Sequence, residues 1–326
     1  MFGRRAAVPG TLAATMLPPS ARAQIGGAPG RPIRILVDSS AGGANDIVAG
    51  IVAQRLAGNL GRPGVVDNKA GVSGLIAADI LAKAPPDGLT LMVASQTTCA
   101  VAPSLYRAAT FDAPRDVAGV ALLGASPLAL VVHPSLAAKS VAELVMLAKA
   151  KPGVLNVGSG GVGSTPQMAA ELFASVAGVK LTAVHYRGEA PASAALMTGE
   201  LPILFGNLSA VGGHVKAGTL RGLAVTSLAR APTAPELPTI AEAGLPGFDV
   251  ETWFGLTAPA GTPRETIAGL NAEVGKALAH PVLGQRLADL GMSVGTGDGA
   301  ALDAYIKAEA VKWGKVIKDA GIRAPG

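Results

Sequence analysis

Aromatic residues make up only 3% of this 326-residue chain, and charged residues only 15%. So few aromatic side chains cannot supply the successive stacking platforms on which single-stranded nucleic acids bind. A single cysteine, Cys99, cannot form an internal disulfide, and the four histidines show no paired spacing typical of zinc sites. We therefore expect no nucleic-acid partner, no metal, no cofactor and an unpaired Cys99.

The sequence also lacks an apolar run of the roughly 20 residues that a transmembrane helix needs. Its start, MFGRRAAVPGTLAATMLPPSARAQ, combines Arg4-Arg5, a shorter apolar stretch and the motif Ala21-Arg22-Ala23. This pattern is typical of a cleaved export signal spanning residues 1–23. We predict cleavage near Ala23, a mature chain starting near Gln24 and a periplasmic location. The paired arginines leave the Sec and twin-arginine export routes both open.

Charge of either sign is scarce as well. The chain has 27 basic and 22 acidic residues; removing Arg4, Arg5 and Arg22 with the signal leaves 24 against 22, a formal charge of +2. A surface this close to neutral lacks the clustered positive charge with which proteins bind nucleic acids.

What the sequence does contain is an alternation of strand-length apolar runs with longer segments of helical period, which is typical of an α/β fold. The predicted strands are 33–37, 89–94, 120–123, 128–132, 155–157, 181–185, 203–205, 223–226 and 254–257. The predicted helices are 46–59, 74–83, 141–149, 165–177, 190–198, 264–279, 282–290 and 300–320. About 300 mature residues exceed the usual size of one hydrophobic core, so we expect two domains.

The segment LNVGSGGVGSTPQMAAELF contains the spacing Gly158, Gly160, Gly163 of a dinucleotide-binding turn. Such a turn needs an acid at the end of the next strand, but LTAVHY ends in Tyr186 and continues with Arg187-Gly188, with no acid until Glu189. Bare backbone at the start of a helix can instead bind a carboxylate through N–H groups, helped by the hydroxyls of nearby serine and threonine side chains. A plain helix cap fits the same residues.

A second strand, glycine turn and helix occur in ILVDSSAGGANDIVAGIVAQRL. Asp46 falls in the first turn of this helix, where the dipole favours a carboxylate, and we weigh it as a direct ligand. Two such turns in different halves of an exported protein predict a cleft with an anion-binding turn on each side.

Segments along nearly the whole mature chain resemble one family. They include AGGANDIVAGIVAQRL, VVDNKAGVSGLIAADILAKAPPDGLTLMVAS, SLYRAATFDAPRDVAGVALL, VLNVGSGGVGSTPQMAAELF, VHYRGEAPASAALMTGE and LPTIAEAGLPGF. In order and spacing they resemble the Bug family, the extracytoplasmic solute receptors of tripartite tricarboxylate transporters. The first turn departs from the family: Asp38-Ser39-Ser40-Ala41 stands where prolines and a phenylalanine are common.

The resemblance implies a two-lobed periplasmic binding protein of the Venus flytrap kind, type II-like, without catalytic residues. It implies a small carboxylate between the lobes, the membrane components of the transporter as partners, and a monomer. The implied ligand-binding residues are Ala41, Gly42, Gly43, Ser95, Gln96, Thr97, Thr98, Gly158, Ser159, Gly163, Ser164, Thr165, Tyr186, Gly188, Glu189, Phe205 and Asn207. We expect Gly163→Val to abolish binding and spare the fold, provided that Gly163 needs no positive φ.

The strands LALVV and GLAVT flank the second-half motifs and predict hinge crossings. We therefore expect a first lobe of residues 24–126 and 228–326, and a second lobe of residues 127–227.

Two alternative functions stay open: a receptor used as a periplasmic sensor, and an exported α/β enzyme. The enzyme lacks support because neither AGVSGL nor VGSGG has the Gly-x-Ser-x-Gly spacing of a hydrolase nucleophile.

Overall fold

The computed structural model describes residues 30–39, 41, 44–289, 291–295 and 297–324. The predicted export signal, its cleavage site near Ala23, and Gly42 and Gly43 lie outside these residues. Among the described helices, none combines the length and the apolar character that crossing a membrane requires.

Strands and helices alternate along the described chain, as the sequence predicted. The strands are β1 (Ile33–Val37), β2 (Gly64–Asn68), β3 (Thr90–Ser95), β4 (Val117–Val132), β5 (Asn156–Ser159), β6 (Thr182–His185), β7 (Ile203–Asn207), β8 (Arg221–Val225), β9 (Glu251–Pro259) and β10 (Ser293–Val294). The α-helices are α1 (Ala44–Leu60), α2 (Leu75–Ala82), α3 (Ala102–Leu105), α4 (Ala113–Asp116), α5 (Val141–Ala150), α6 (Thr165–Ala177), α7 (Glu189–Thr198), α8 (Leu208–Lys216), α9 (Arg264–Leu278), α10 (Pro281–Asp289) and α11 (Gly299–Ala320). A 3₁₀ turn at Val72–Gly74 precedes α2, and a π-helical turn at Thr97–Val101 follows β3.

Capping residues fix where several helices begin and end. Ser140 accepts the Glu143 N–H at 3.2 Å at the start of α5. Asp298 accepts the Ala301 N–H at 2.8 Å at the start of α11. Each cap satisfies a backbone donor that the first turn of a helix leaves without an intrahelical partner. α6 ends at Gly178, whose left-handed φ of 62° is cheapest for glycine.

One path of hydrogen-bonded strands runs through the molecule in the order β2-β1-β3-β9-β4-β7-β5-β6, and β8 and β10 each pair with β4. β1 is parallel to β2 and β3, and β5 is parallel to β6 and β7. β4 and β9 are antiparallel to their neighbours and join the two parallel groups. Each parallel group is the centre of one lobe of the α/β fold.

β4 carries the chain from the first lobe to the second. Its residues 117–127 pair with β9, whereas residues 128–132 pair with β7 and β8. The sequence predicted two separate strands here, but the structure has one strand of 16 residues that continues through Pro127. Pairing on both sides of the proline outweighs the local break that its missing N–H introduces.

The return to the first lobe occurs later than the sequence predicted. The Ile240 N–H donates to the Val225 carbonyl at 2.9 Å, and the Val250 N–H donates to the Thr226 carbonyl at 3.0 Å. Leu237 lies in the same buried cluster as side chains of β7 and α8. Residues 228–250 therefore pack with the second lobe, not the first. Their prolines made them look like a linker, but the apolar residues between the prolines fill this lobe's core.

α11 packs against both lobes. Leu302 and Ile306 belong to a buried cluster with α2 and β3 of the first lobe. Trp313 and Ile317 belong to a cluster with Phe173 of α6 in the second lobe. Burial of a large apolar side chain contributes about 1.5–3 kcal/mol. The helix that the sequence predicted over 300–320 is thus a brace between the lobes.

Candidate ligand-binding cleft

A cavity of about 380 Å³ lies between the lobes, at the carboxyl ends of β1, β3 and β7 and the first turn of α6. In open α/β sheets, ligands bind outside the carboxyl ends of the strands. Hydroxyl, amide and small side chains dominate the lining, and its described residues include one acidic and no basic side chain. The lining residues are Asp38, Ser39, Asn45, Gly71, Ser73, Gly74, Ser95, Gln96, Thr97, Thr98, Thr165, Asn207, Thr252 and Phe254. We call this space the cleft cavity.

Volume alone does not identify the site. A larger cavity of about 540 Å³ lies on the second lobe, bordered by Glu171, Lys180 and Asp319 among others. It adjoins α6, β6 and the end of α11, away from the carboxyl ends of the strands of the first lobe. The cleft cavity is smaller, but both lobes and the connecting strand β9 contribute to it.

Asp38 organises the first-lobe wall. Its carboxylate accepts hydrogen bonds from Ser95 Oγ at 2.8 Å, from Thr98 Oγ1 and from Asn45 Nδ2. Burial raises the pKa of Asp38, and these three hydrogen bonds act in the opposite direction because they favour the ionised form. Behind this wall, Cys99 is free and buried, and burial together with the charge of Asp38 raises the pKa of its thiol.

The loop before α2 approaches this wall closely. Gly71, Val72, Ser73 and Gly74 all have positive φ, at 131°, 47°, 53° and 89°. A Cβ on Gly74 would overlap Thr98 Oγ1, so the loop needs glycine there for space as well as for its backbone angle. Positive φ at non-glycine residues is costly and clusters at ligand clamps.

The second-lobe wall is formed by Thr165 and Asn207. Thr165 is the first residue of α6, where backbone N–H groups have no intrahelical acceptor and the helix dipole is positive. Ser164 precedes it as N-cap, but its Oγ donates to the Gly161 carbonyl at 2.7 Å. Thr165 is the α6 residue among those that line the cavity, so the positive end of this helix borders it.

Most of the glycine turn before α6 serves local structure. A Cβ on Gly158 would overlap the Leu201 side chain. Ser159 is 1% exposed and its Oγ lies 2.7 Å from His185 Nδ1. Gly163 has φ of 79°, and its N–H donates to Gln167 Oε1 at 2.8 Å.

The expectation that Gly163→Val would spare the fold is therefore wrong. The left-handed φ of 79° disfavours any side chain, and an added Cβ would lie 2.8 Å from Leu105 Cδ2. The condition attached to that expectation, no positive φ at Gly163, is not met. Loss of binding in this variant would not separate recognition from folding.

Glu189 supports Asn207. One carboxylate oxygen of Glu189 accepts the Asn207 backbone N–H, and the other accepts Asn207 Nδ2. Asn207 Oδ1 in turn accepts from Thr252 Oγ1 at 3.1 Å. Glu189 thus stands behind Asn207 and outside the lining, and Asn207 is held from the second lobe and from the connecting strand β9.

Four more of the predicted ligand residues that the structure describes, and Asp46, are not among those that line the cleft cavity. Ala41 is exposed, and Asp46 accepts from Asn68 Nδ2 at 2.9 Å. Phe205 is fully buried against Phe173, with ring centroids 5.7 Å apart. Tyr186 packs partly buried against a core cluster of the second lobe, and Gly188 precedes α7 as its N-cap. Of the predicted set, the structure brings together around the cavity Ser95, Gln96, Thr97, Thr98, Thr165 and Asn207.

A buried carboxylate in α11 supports the cavity from behind. Glu309 Oε2 accepts from Trp313 Nε1 at 2.8 Å, from Trp253 Nε1 at 3.2 Å and from Gln96 Nε2 at 3.4 Å. Lys312 pairs with the other carboxylate oxygen. Sequence reasoning missed this network because its members come from three distant segments. A glutamate on the apolar side of an amphipathic helix, four residues before Trp313, was the available signal.

Comparisons with known proteins agree with this architecture. The model of the tripartite tricarboxylate transporter family receptor matches residues 48–322. The UPF0065 protein in the tcbD-tcbE intergenic region of a Pseudomonas species is 38% identical, covering 99% of this chain and 96% of that protein. The solved structure of R. palustris Rpa4515 with adipate is 37% identical, with a TM-score of 0.76 over 90% of this chain and 99% of that one. The solved periplasmic binding protein BugD is 30% identical, with a TM-score of 0.74 over 91% of this chain and 99% of that one.

These matches extend across both lobes, and they agree with the resemblance carried by the glycine turns and their flanking segments. The conclusion on family does not depend on any single motif. The chain belongs to the receptor family of tripartite tricarboxylate transporters.

Proposed function

We propose that this protein is an exported, monomeric receptor that captures a small carboxylate in the cleft cavity and delivers it to the membrane components of a tripartite tricarboxylate transporter. The family supports the receptor role, and a relative of similar fold holds adipate. BugD, a further relative, is a periplasmic binding protein. The signal-like sequence before residue 24 supports export.

The observation that carries the proposal is the start of α6 at a cavity shared by both lobes. N–H groups of a helix's first turn and the positive end of its dipole suit an anion. Across the cavity, Thr97 and Ser73 offer hydroxyl groups, and Asn207 lines the same side as Thr165. Donors on both lobes let one ligand hold the cleft closed.

The energies suit reversible capture. A hydrogen bond to a charged group is worth about 1.5–3 kcal/mol, so a few per ligand could supply a gross stabilisation above 8 kcal/mol. Ordering the ligand and the lobes removes part of this. A dissociation constant of about 1 μM corresponds to about 8 kcal/mol.

A thermal-shift screen tests the proposal. Mono-, di- and tricarboxylates, amino acids and nicotinate-like acids would be added to the mature protein, with NAD as a comparison. A ligand at about 100 times its dissociation constant stabilises the native state by about 2.7 kcal/mol, which raises the melting temperature. A shift with NAD and with none of the acids would contradict carboxylate capture.

A pair of threonine variants locates the site. A double variant that combines Thr97→Ala and Thr165→Ala removes two hydroxyls from the cavity lining, each worth about 0.5–1.5 kcal/mol. We expect its affinity for the acid to fall roughly tenfold. Thr110→Ala is the matched control, because Thr110 is exposed and lies outside the lining. Equal affinities of the double variant and the Thr110→Ala control would place the ligand elsewhere.

An uptake assay separates a transport receptor from a sensor. Unchanged uptake of the same acid by cells lacking the receptor would favour a sensor.

A further inference from the structure

The cleft cavity contains an acidic side chain where a receptor for dicarboxylates gains nothing from one. Asp38 follows β1 directly, lines the cavity and remains partly exposed. Among the described residues, no lysine, arginine or histidine forms an ion pair with it. Its hydrogen-bond partners Asn45, Ser95 and Thr98 are all neutral.

These partners fit an ionised Asp38. The Asn45 amide nitrogen can only donate, and it lies in the first turn of α1, where the helix dipole favours negative charge. Two hydroxyls converge on the same carboxylate. The backbone N–H of Asp38 also favours the ionised form. None of these donors carries a charge, so among the described residues they solvate the carboxylate without neutralising it, and a cationic group of a ligand in the cavity can do so.

Gln96 adds to the negative potential of this wall. Its Nε2 faces the Glu309 carboxylate, which as an anion can only accept, so the amide oxygen points the other way. Gln96 Oε1 is buried and has no hydrogen-bond partner among the described residues, although Gln96 lines the cavity. The first-lobe wall therefore presents a charge and an oriented dipole that both repel a carboxylate and attract a cation.

We propose that the ligand carries an ammonium group besides its carboxylate, and that Asp38 receives the ammonium. This inference rests on the proposed function, in which the carboxylate binds at the start of α6. The two walls then sort the ends of the ligand: backbone donors beside Thr165 take the anion, and Asp38 takes the cation. A second carboxylate at the Asp38 end meets like charge in a partly desolvated site.

Calorimetry on the mature protein with matched probes tests the inference. Adipate, hexanoate and 5-aminopentanoate share a four-methylene spacer and differ at one end. Succinate, butanoate and β-alanine do the same with a shorter spacer, and alanine with propanoate tests an ammonium next to the carboxylate. We expect the aminocarboxylate of at least one series to bind about tenfold more tightly than its partners, which corresponds to about 1.4 kcal/mol.

Asp38→Asn should abolish this advantage and improve binding of the dicarboxylate in the same series. Asp67→Asn is the matched control: it removes the same charge from the first lobe, but Asp67 pairs with Arg34 and Lys69 outside the cavity lining. The comparison of aminocarboxylate, dicarboxylate and monocarboxylate affinities in the wild-type protein tests the inference even if Asp38→Asn folds poorly.

The outcomes separate the two proposals. Tighter binding of a dicarboxylate or monocarboxylate in every series would overturn the ammonium inference and leave carboxylate capture intact. An aminocarboxylate preference that survives in Asp38→Asn would equally overturn the role of Asp38. Absence of binding by every probe and by every acid in the wider screen would overturn both.

Discussion

Replacing Glu189 by glutamine distinguishes support of the cleft from direct contact with the ligand. The wild-type carboxylate accepts both the backbone N–H and the side-chain Nδ2 of Asn207. The glutamine amide has one oxygen and one NH₂ group, so it can accept only one of these bonds. Its NH₂ then faces a second donor, and Asn207 loses the fixed position in which it lines the cavity.

The size of the effect follows from these bonds. A hydrogen bond to a charged group contributes about 1.5–3 kcal/mol, and the lower end applies because Glu189 is only half-buried. We expect the free energy of unfolding to fall by about 1.5 kcal/mol. Because Asn207 lines the cavity, its altered position also weakens ligand binding. We expect affinity for a carboxylate to fall about three- to tenfold, or about 0.7–1.4 kcal/mol.

Titration calorimetry with the best acid from the screen, together with thermal unfolding, measures both quantities. Glu200→Gln is the matched control, because it removes the same charge from an exposed residue just after α7. The direction of the change in affinity is decisive. If Glu189 faced the anionic ligand, removing its charge would strengthen binding, and an unchanged or higher affinity in Glu189→Gln would refute the supporting role.

Three further predictions concern the first lobe. The melting temperature of Asp38→Asn relative to that of the wild type should be higher at pH 7 than at pH 4. Burial raises the pKa of Asp38, so the stability of the wild-type protein falls as pH rises from the unfolded through the folded pKa, and asparagine does not titrate. Thermal unfolding across this range checks the sign, and a difference, variant minus wild type, that becomes smaller with rising pH would contradict it. Gly74→Ala should lower the free energy of unfolding by about 2–4 kcal/mol, through its φ of 89° and overlap with Thr98, as measured by urea denaturation; a loss below about 0.5 kcal/mol would mean that the loop relaxes freely. Cys99 should react with iodoacetamide only as fast as the protein opens, because its thiol is buried and burial raises its pKa; rapid labelling of the native protein, seen by mass spectrometry, would disprove this.

The sequence by itself determined those elements whose signals are local. β1 runs from Ile33 to Val37 and α6 from Thr165 to Ala177, with the predicted bounds, because an apolar run and a capped helical period need no distant partner to be recognised. α8 was missed because Gly212 and Gly213 lower its intrinsic helix propensity, which packing against β4 and β7 overcomes. The family, too, was readable from the order of the segments.

Tertiary structure decided which of the predicted residues surround the cavity and which further residues join them. Thr165 and Asn207 were predictable because they stand at the start of a helix and the end of a strand, positions that open α/β sheets turn towards ligands. Thr252 and Phe254 were not, because they reach the cavity only where β9, far along the chain, inserts between β3 and β4. Likewise, Leu201 closes over Gly158, so a glycine that reads as open backbone in sequence is covered in the fold. The local sequence pattern determines whether a segment forms a helix or a strand. Which of its faces lines the cleft depends on the distant side chains that pack against its opposite face.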